Sequence, residues 1–209
     1  CSGIRLKSMI HQLVGSALLA QIVNFNGTGT NVFGSTTKDW DMVTKQLNIV
    51  WNMCWNPTDK LMYHAFEANA GTGTGENESK SHADTWAGLN GKTEPYTFHS
   101  AAYWGRANAW YLMALVDVLE AMKNAGQENT TNYTTLKQHL ADLAAGIAAR
   151  QDFLKTGGWY QVMDDPSFKA TSYNGKSSTA SNYIETSATA IFAAAYFKAV
   201  RCGLLESTT

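Results

Sequence analysis

Apolar residues recur at helical spacing in five stretches of the chain, with polar or small residues between them. Ile10, Leu13, Ala17, Leu18 and Ile22 predict a helix over 8–25, interrupted by Gly15. Trp40, Val43, Leu47, Val50, Trp51 and Cys54 mark a second stripe; Thr36 and Asp39 before it have the spacing of a capping box. The third stripe is the most regular, with Trp104, Asn108, Tyr111, Leu112, Leu115, Leu119 and Met122 predicting a helix over 102–123. Leu136, Leu140, Leu143 and Ile147 give a fourth helix that is expected to end near Phe153. A fifth runs over 184–201 and stops at Gly203, a helix-terminating glycine.

Two short segments have β character, 61–66 and 158–162, and each follows a helix and a turn-like stretch (56–59 and 156–158). The stretch 69–100 is rich in Gly, Thr, Asn and Ser, and loops of that length commonly serve a binding site. No strand–helix alternation supports a parallel sheet. The expected fold is therefore all-α, a single domain over 1–209 built of helical hairpins, with short strands in the loops and functional loops at one end.

Charge and composition narrow the function. Lys+Arg 16 against Asp+Glu 17 gives a net charge of -1, and no run of like charges occurs, so nucleic acid is not an expected partner. No apolar run approaches the roughly 20 residues of a membrane span. The chain carries 7 Trp, 9 Tyr and 8 Phe, a density that suits either a carbohydrate ligand or aromatic core packing. Sequons at Asn26, Asn77, Asn129 and Asn132 lie in Gly/Thr/Asn-rich stretches and point to a secreted glycoprotein. Three cysteines are too few for a disulfide framework, and Cys54 and Cys202 are expected as buried free thiols.

Candidate chemistry is sparse. His64, His82, His99 and His139 lack zinc-ligand spacing, so no metal is expected and the histidines are expected at the surface or in loops. His64, between aromatic neighbours, could donate a ring N–H to a sugar or carboxylate oxygen. Glu67, Asp84, Asp164, Asp165 and Glu185 are acidic residues near loop ends, and any two could form a carboxylate pair of the kind glycoside hydrolysis uses. Arg106, between Trp104 and Trp110, could grip an anionic oxygen with its fork or pair with a carboxylate. No phosphate loop, nucleophile elbow or Cys/His signature is present; the Gly71-Thr-Gly73-Thr-Gly75 string follows no buried strand and opens no helix.

The run Trp104-Gly105-Arg106-Ala107-Asn108-Ala109-Trp110-Tyr111-Leu112-Met113-Ala114-Leu115-Val116-Asp117 resembles the signature of glycoside hydrolase families 88 and 105, the unsaturated glucuronyl and rhamnogalacturonyl hydrolases. The resemblance extends, in order and spacing, to 61–66, 158–164, 182–190 and 198–205, and covers about residues 40–205. It implies an (α/α)6 toroid that binds an unsaturated uronic acid at the end of a pectin or glycosaminoglycan fragment, without a cofactor. It also implies that a general acid/base Asp hydrates the C4=C5 vinyl ether, after which the hemiketal opens and releases the aglycone. By position, His64, Trp104, Arg106 and Trp110 match residues that line the pocket, and Trp159 lies in another matching motif. Two departures accompany the match. The family's catalytic Asp is expected in an upstream aromatic-rich helix, where this chain has Gly15. Five helices against the twelve of a toroid imply the C-terminal half of that fold, covered by self-association or a second chain. An active hydrolase and a catalytically inactive sugar-binding or self-associating protein both remain as readings.

Overall fold

Four helices carry the apolar stripes read from the sequence. The computed structural model describes residues 40–66, 99–100, 102–167, 172–173, 176–177 and 181–207. The helix expected over 8–25, the capping box at Thr36 and Asp39, the 71–75 glycine string, nearly all of the 69–100 loop, and Asn26, Glu67, Asn77, His82 and Asp84 lie outside these residues. Helix α1 (Trp40–Cys54) buries Val43, Leu47, Val50, Trp51 and Cys54 on one face. Helix α2 (Gly105–Asn124) is central and packs on both α3 (Thr131–Ala148) and α4 (Thr186–Arg201). Leu112, Leu115, Leu119, Leu136, Leu140 and Phe192 are fully buried between them. Burying each such side chain contributes about 1.5–3 kcal/mol before chain entropy is set against it.

Side-chain contacts fix the helix directions. Gly105 lies against Ala188 at one end, while Lys123 Nζ donates to the Cys202 carbonyl at 2.8 Å at the other, so α2 and α4 run parallel. Lys198 Nζ ties them again towards their C-terminal ends, 2.7 Å from Asp117 and 2.6 Å from Glu120. A short turn reverses the chain between α2 and α3, where the Thr130 side chain accepts from the Tyr133 N–H as the N-cap. Strands β1 (Trp55–Asn56) and β2 (Leu61–Met62) pair antiparallel, Trp55 opposite Met62. A second hairpin joins β3 (Ser172–Tyr173) to β4 (Lys176–Ser177).

Several boundaries shift from their sequence expectation, each for a local reason. Helix α2 begins three residues later than Ala102 because Trp104 is extended and bridges Val162. Helix α4 begins at Thr186 because Ile184 bridges Tyr160 and Glu185 serves as N-cap. Helix α3 ends at Ala148 rather than near Phe153: the Asp152 carbonyl accepts N–H bonds from Thr156 and Gly157, which closes a tight turn. The segment 158–162 forms single bridges and no regular strand. Cys54 is buried and free, and burial pushes its thiol up to about 12. Cys202 is only half-buried, at the cap of α4, where its Sγ donates to Glu120 Oε1 at 3.2 Å.

His139 is neither a loop nor a surface histidine. It lies within α3 and stacks on Trp51 at 3.9 Å, and Trp51 stacks on Trp55 at 4.0 Å. Burial lowers its pKa to about 4, with the Asp142 charge opposing. The unfolded chain therefore takes up a proton near pH 6.5 that the folded chain refuses until about pH 4, so stability falls as pH drops through that window. Discounted for solvent screening, the loss is roughly 1–2 kcal/mol. Thermal melts at pH 7 and pH 4.5 check it, since His139→Phe keeps the stack and should flatten the dependence. Among the described residues no helix is long and apolar enough to cross a membrane.

Candidate functional site

The parallel course of α2 and α4 brings two helix N-termini to one end of the molecule, where the chain's irregular segments also meet. Segment 102–105 runs beside 158–163, with the Gly105 N–H bonded to the Gln161 carbonyl and the Met163 N–H to that of Tyr103. Segment 182–185 lies on the other side of 158–163, through Gln161 N–H to the Tyr183 carbonyl and Glu185 N–H to that of Trp159. A Cβ on Gly105 would stand 3.0 Å from the Tyr160 carbonyl oxygen, so only glycine lets these backbones meet without displacement.

Two asparagines brace this arrangement. Asn108 is fully buried in α2; its Oδ1 accepts from the Met62 N–H at 2.9 Å and its Nδ2 donates to the Met62 and Trp104 carbonyls at 3.0 Å. It thereby acts as a strand partner to β2 and fixes the segment that leads to His64. Asn182 does the same for 162–165, accepting from the Val162 N–H and donating to the Val162 and Asp165 carbonyls. Neither role was read from the sequence, although an amide at position 108 within an otherwise apolar stripe was the available signal.

The exposed groups at this end are aromatic and cationic. Trp104 is 41% exposed and its ring stacks on His64 at 4.5 Å. The His64 Nδ1 lies 3.2 Å from the Ala102 carbonyl, which can only accept, so that nitrogen carries the proton and Nε2 is the acceptor of the ring. Burial lowers the His64 pKa, opposed by that bond, which keeps the imidazole neutral at pH 7. Arg106, exposed in the first turn of α2, stands one helical turn before Trp110, which is 40% exposed.

Charges of both signs meet here, Arg106 on one side and the carboxylates of Asp164, Asp165 and Glu185 on the other. Neither α2 nor α4 has an acidic residue in its first turn, and Arg106 adds a full charge to one of these ends. The Glu185 carboxylate, which caps α4, accepts from Ser187 and from the Ala188 N–H. Burial raises its pKa, but those bonds and the Arg106 charge outweigh it and hold it low. No ion pair joins Arg106 to a carboxylate among the described residues.

Trp159 occupies a different place from the one its motif suggested. It is 5% exposed, donates its indole N–H to the Ile147 carbonyl at 2.7 Å and packs on Phe192. That ring belongs to the core and presents no face to a ligand. Asp164 lies at the site: its Oδ1 accepts from the Tyr103 N–H at 3.4 Å, one residue before Trp104. The Tyr103 hydroxyl donates to Asp59 at 2.7 Å and accepts from Asn56 at 2.6 Å, which anchors the β1–β2 turn here. Among the described residues no group of three His, Cys, Asp or Glu side chains converges to hold a metal ion.

The profile of Glycosyl Hydrolase Family 88 matches residues 28–209. The chain belongs to that family. A 24.9 kDa protein in the picA locus of Rhizobium radiobacter is 38% identical to it over 112 residues, a match that spans 54% of this chain and 40% of that protein. A family 105 glycoside hydrolase from C. acetobutylicum superposes with a TM-score of 0.63 at 24% identity, over 98% of this chain and 44% of its own. A family 88 glycosyl hydrolase from Bacteroides vulgatus superposes with a TM-score of 0.60 at 15% identity, over 99% of this chain and 47% of its own. The family 88 chain thus takes the fold of part of an (α/α)6 toroid and spans less than half the length of these relatives.

Proposed function

We propose that the loop-bearing end of this family 88 chain binds the unsaturated uronyl end of a pectin- or glycosaminoglycan-derived oligosaccharide. The observation that carries the reading is Arg106, exposed at a helix N-terminus, between the His64–Trp104 stack and Trp110. A uronate presents a carboxylate and a flat half-ring; the guanidinium fork and the indole faces of Trp104 and Trp110 suit these in turn. Secretion belongs to the same reading, with Asn129 exposed in the α2–α3 turn as a glycan acceptor. Asn132 is less suited, because its Nδ2 donates to Asp41 at 2.6 Å.

Calorimetric titration with an unsaturated uronyl disaccharide tests the site. Arg106→Ala should weaken binding about tenfold or more, the loss of a charge-assisted bond of about 1.5–3 kcal/mol, with an unchanged melting temperature. If Arg106→Ala lowers the melting temperature and leaves affinity intact, Arg106 serves the fold and the reading fails.

A second reading, self-association, is favoured by Phe197, which is 78% exposed on α4 beside the partly exposed Val200. Sedimentation of the native chain tests it: a monomer at micromolar concentration removes it.

A further inference from the structure

Four buried side-chain atoms among the described residues have no hydrogen-bond partner: Thr44 Oγ1, Asn48 Oδ1, His139 Nδ1 and Gln161 Oε1. Buried polar atoms are seldom left so, because folding has stripped each of the bonds it made to solvent. Gln161 lies in segment 158–163 at the loop-bearing end. The other three belong to the interface of α1 with α3, where Thr44 is only 2% exposed.

Helical spacing brings these three together. Asp41, Thr44, Asn48 and Trp51 follow one another at steps of three and four residues, so they form one stripe along α1. Both ends of the stripe touch α3: Asn132 Nδ2 donates to Asp41 Oδ1 at 2.6 Å, and the Trp51 ring stacks on His139 at 3.9 Å with 7° between the planes. Thr44 and Asn48 therefore face α3 between two contacts, and Asn48 stands one turn from Trp51, beside the stack. A stacked imidazole bonds only in its own plane, so His139 Nδ1 opens at the edge of the stack and not towards the indole face. The two bulky rings hold α1 and α3 apart at this point, and the short Thr44 and Asn48 side chains make no bond across the gap.

We propose that one water molecule is bound between α1 and α3 by Thr44 Oγ1, Asn48 Oδ1 and His139 Nδ1, as a fixed part of the fold. The bonding capacities match. Asn48 Oδ1 only accepts, and a neutral imidazole accepts at the nitrogen that carries no proton. Burial lowers the His139 pKa, so the ring is neutral at pH 7. Water supplies two protons, one to Asn48 Oδ1 and one to His139 Nδ1, while its oxygen accepts from the Thr44 hydroxyl; the His139 proton then lies on Nε2. The spacing matches as well: side chains one turn apart on a helix have Cβ atoms about 5–6 Å apart, a span that two hydrogen bonds of about 2.8 Å cover through one oxygen. About three bonds to groups that otherwise lack partners is the usual complement of a buried water.

A crystal structure of the wild-type chain, at a resolution that shows ordered solvent, tests the site directly. One solvent peak should stand within hydrogen-bonding distance of all three atoms. A map without that peak, or with the three side chains bonded directly to one another, overturns the proposal. Thr44→Val tests it in solution, because valine keeps the shape of threonine and removes the hydroxyl. With the water in place the variant loses one bond, and its melting temperature should fall by about 2–4 °C for a chain of this size. A hydroxyl that truly lacks a partner predicts the opposite sign, since its replacement by a methyl removes a buried polar group without breaking a bond. A melting temperature equal to or above that of the wild type therefore overturns the proposal.

Discussion

Replacing Gly146 by alanine should destabilise the fold by about 3 kcal/mol or more, although alanine is the better helix former by about 1 kcal/mol. Gly146 lies in α3 with its Cα facing the β1–β2 turn. A Cβ there would stand 1.8 Å from the Lys60 carbonyl oxygen, 2.6 Å from its carbonyl carbon and 2.7 Å from its Cβ. Two of those three atoms are backbone, so no rotamer change relieves the overlap, and either α3 or the hairpin must move. The hairpin resists, because Lys60 already holds a positive φ of 54° and Asp59 beside it is tied to Tyr103 and Arg150. Equilibrium denaturation reads the change as a shift in midpoint at constant slope. A midpoint equal to wild type would mean that the hairpin yields at no cost, and would remove the argument that it is rigidly seated on α3.

The helices were legible because burial of one face leaves a periodic record. Leu112, Leu115 and Leu119 fall on the inward side of α2 at the spacing 3.6 residues per turn demands, and four of the five expected helices lie within the described residues. Their ends were less legible, since they depend on partners distant in sequence. Trp104 has the helical spacing of its stripe, yet Val162 holds it extended, and Ile184 is held similarly by Tyr160. Trp104, Arg106 and Trp110 were grouped through their place in the family 88 and 105 motif; their exposure at one helix end comes from the fold. Trp159 shows the limit of that inference: its neighbours in sequence are those of a site residue, and only the Ile147 carbonyl, reached through the fold, places it inside.

Asn108→Ala should cost about 3–5 kcal/mol and weaken uronide binding as well, the larger functional loss expected from any residue that does not face the ligand. The substitution removes three buried bonds at one position. The Trp104 carbonyl keeps its helix bond from the Asn108 N–H at 3.1 Å, so its loss is small. The Met62 amide and carbonyl fare worse: Met62 is 1% exposed, and its N–H and C=O are both bonded by the Asn108 side chain. Each orphaned buried group costs about 1–3 kcal/mol, and the methyl left behind cannot admit solvent to both. Two residues beyond Met62 stands His64, whose stack on Trp104 depends on β2 keeping its register against α2. Asn108→Leu fills the same volume without restoring the bonds, so it should lose nearly as much stability; a recovery to within about 1 kcal/mol of wild type would show that cavity formation sets the loss. Denaturation midpoints for both variants, taken with their disaccharide affinities, separate the two causes, and a stable Asn108→Ala chain with intact affinity would disprove the bracing role.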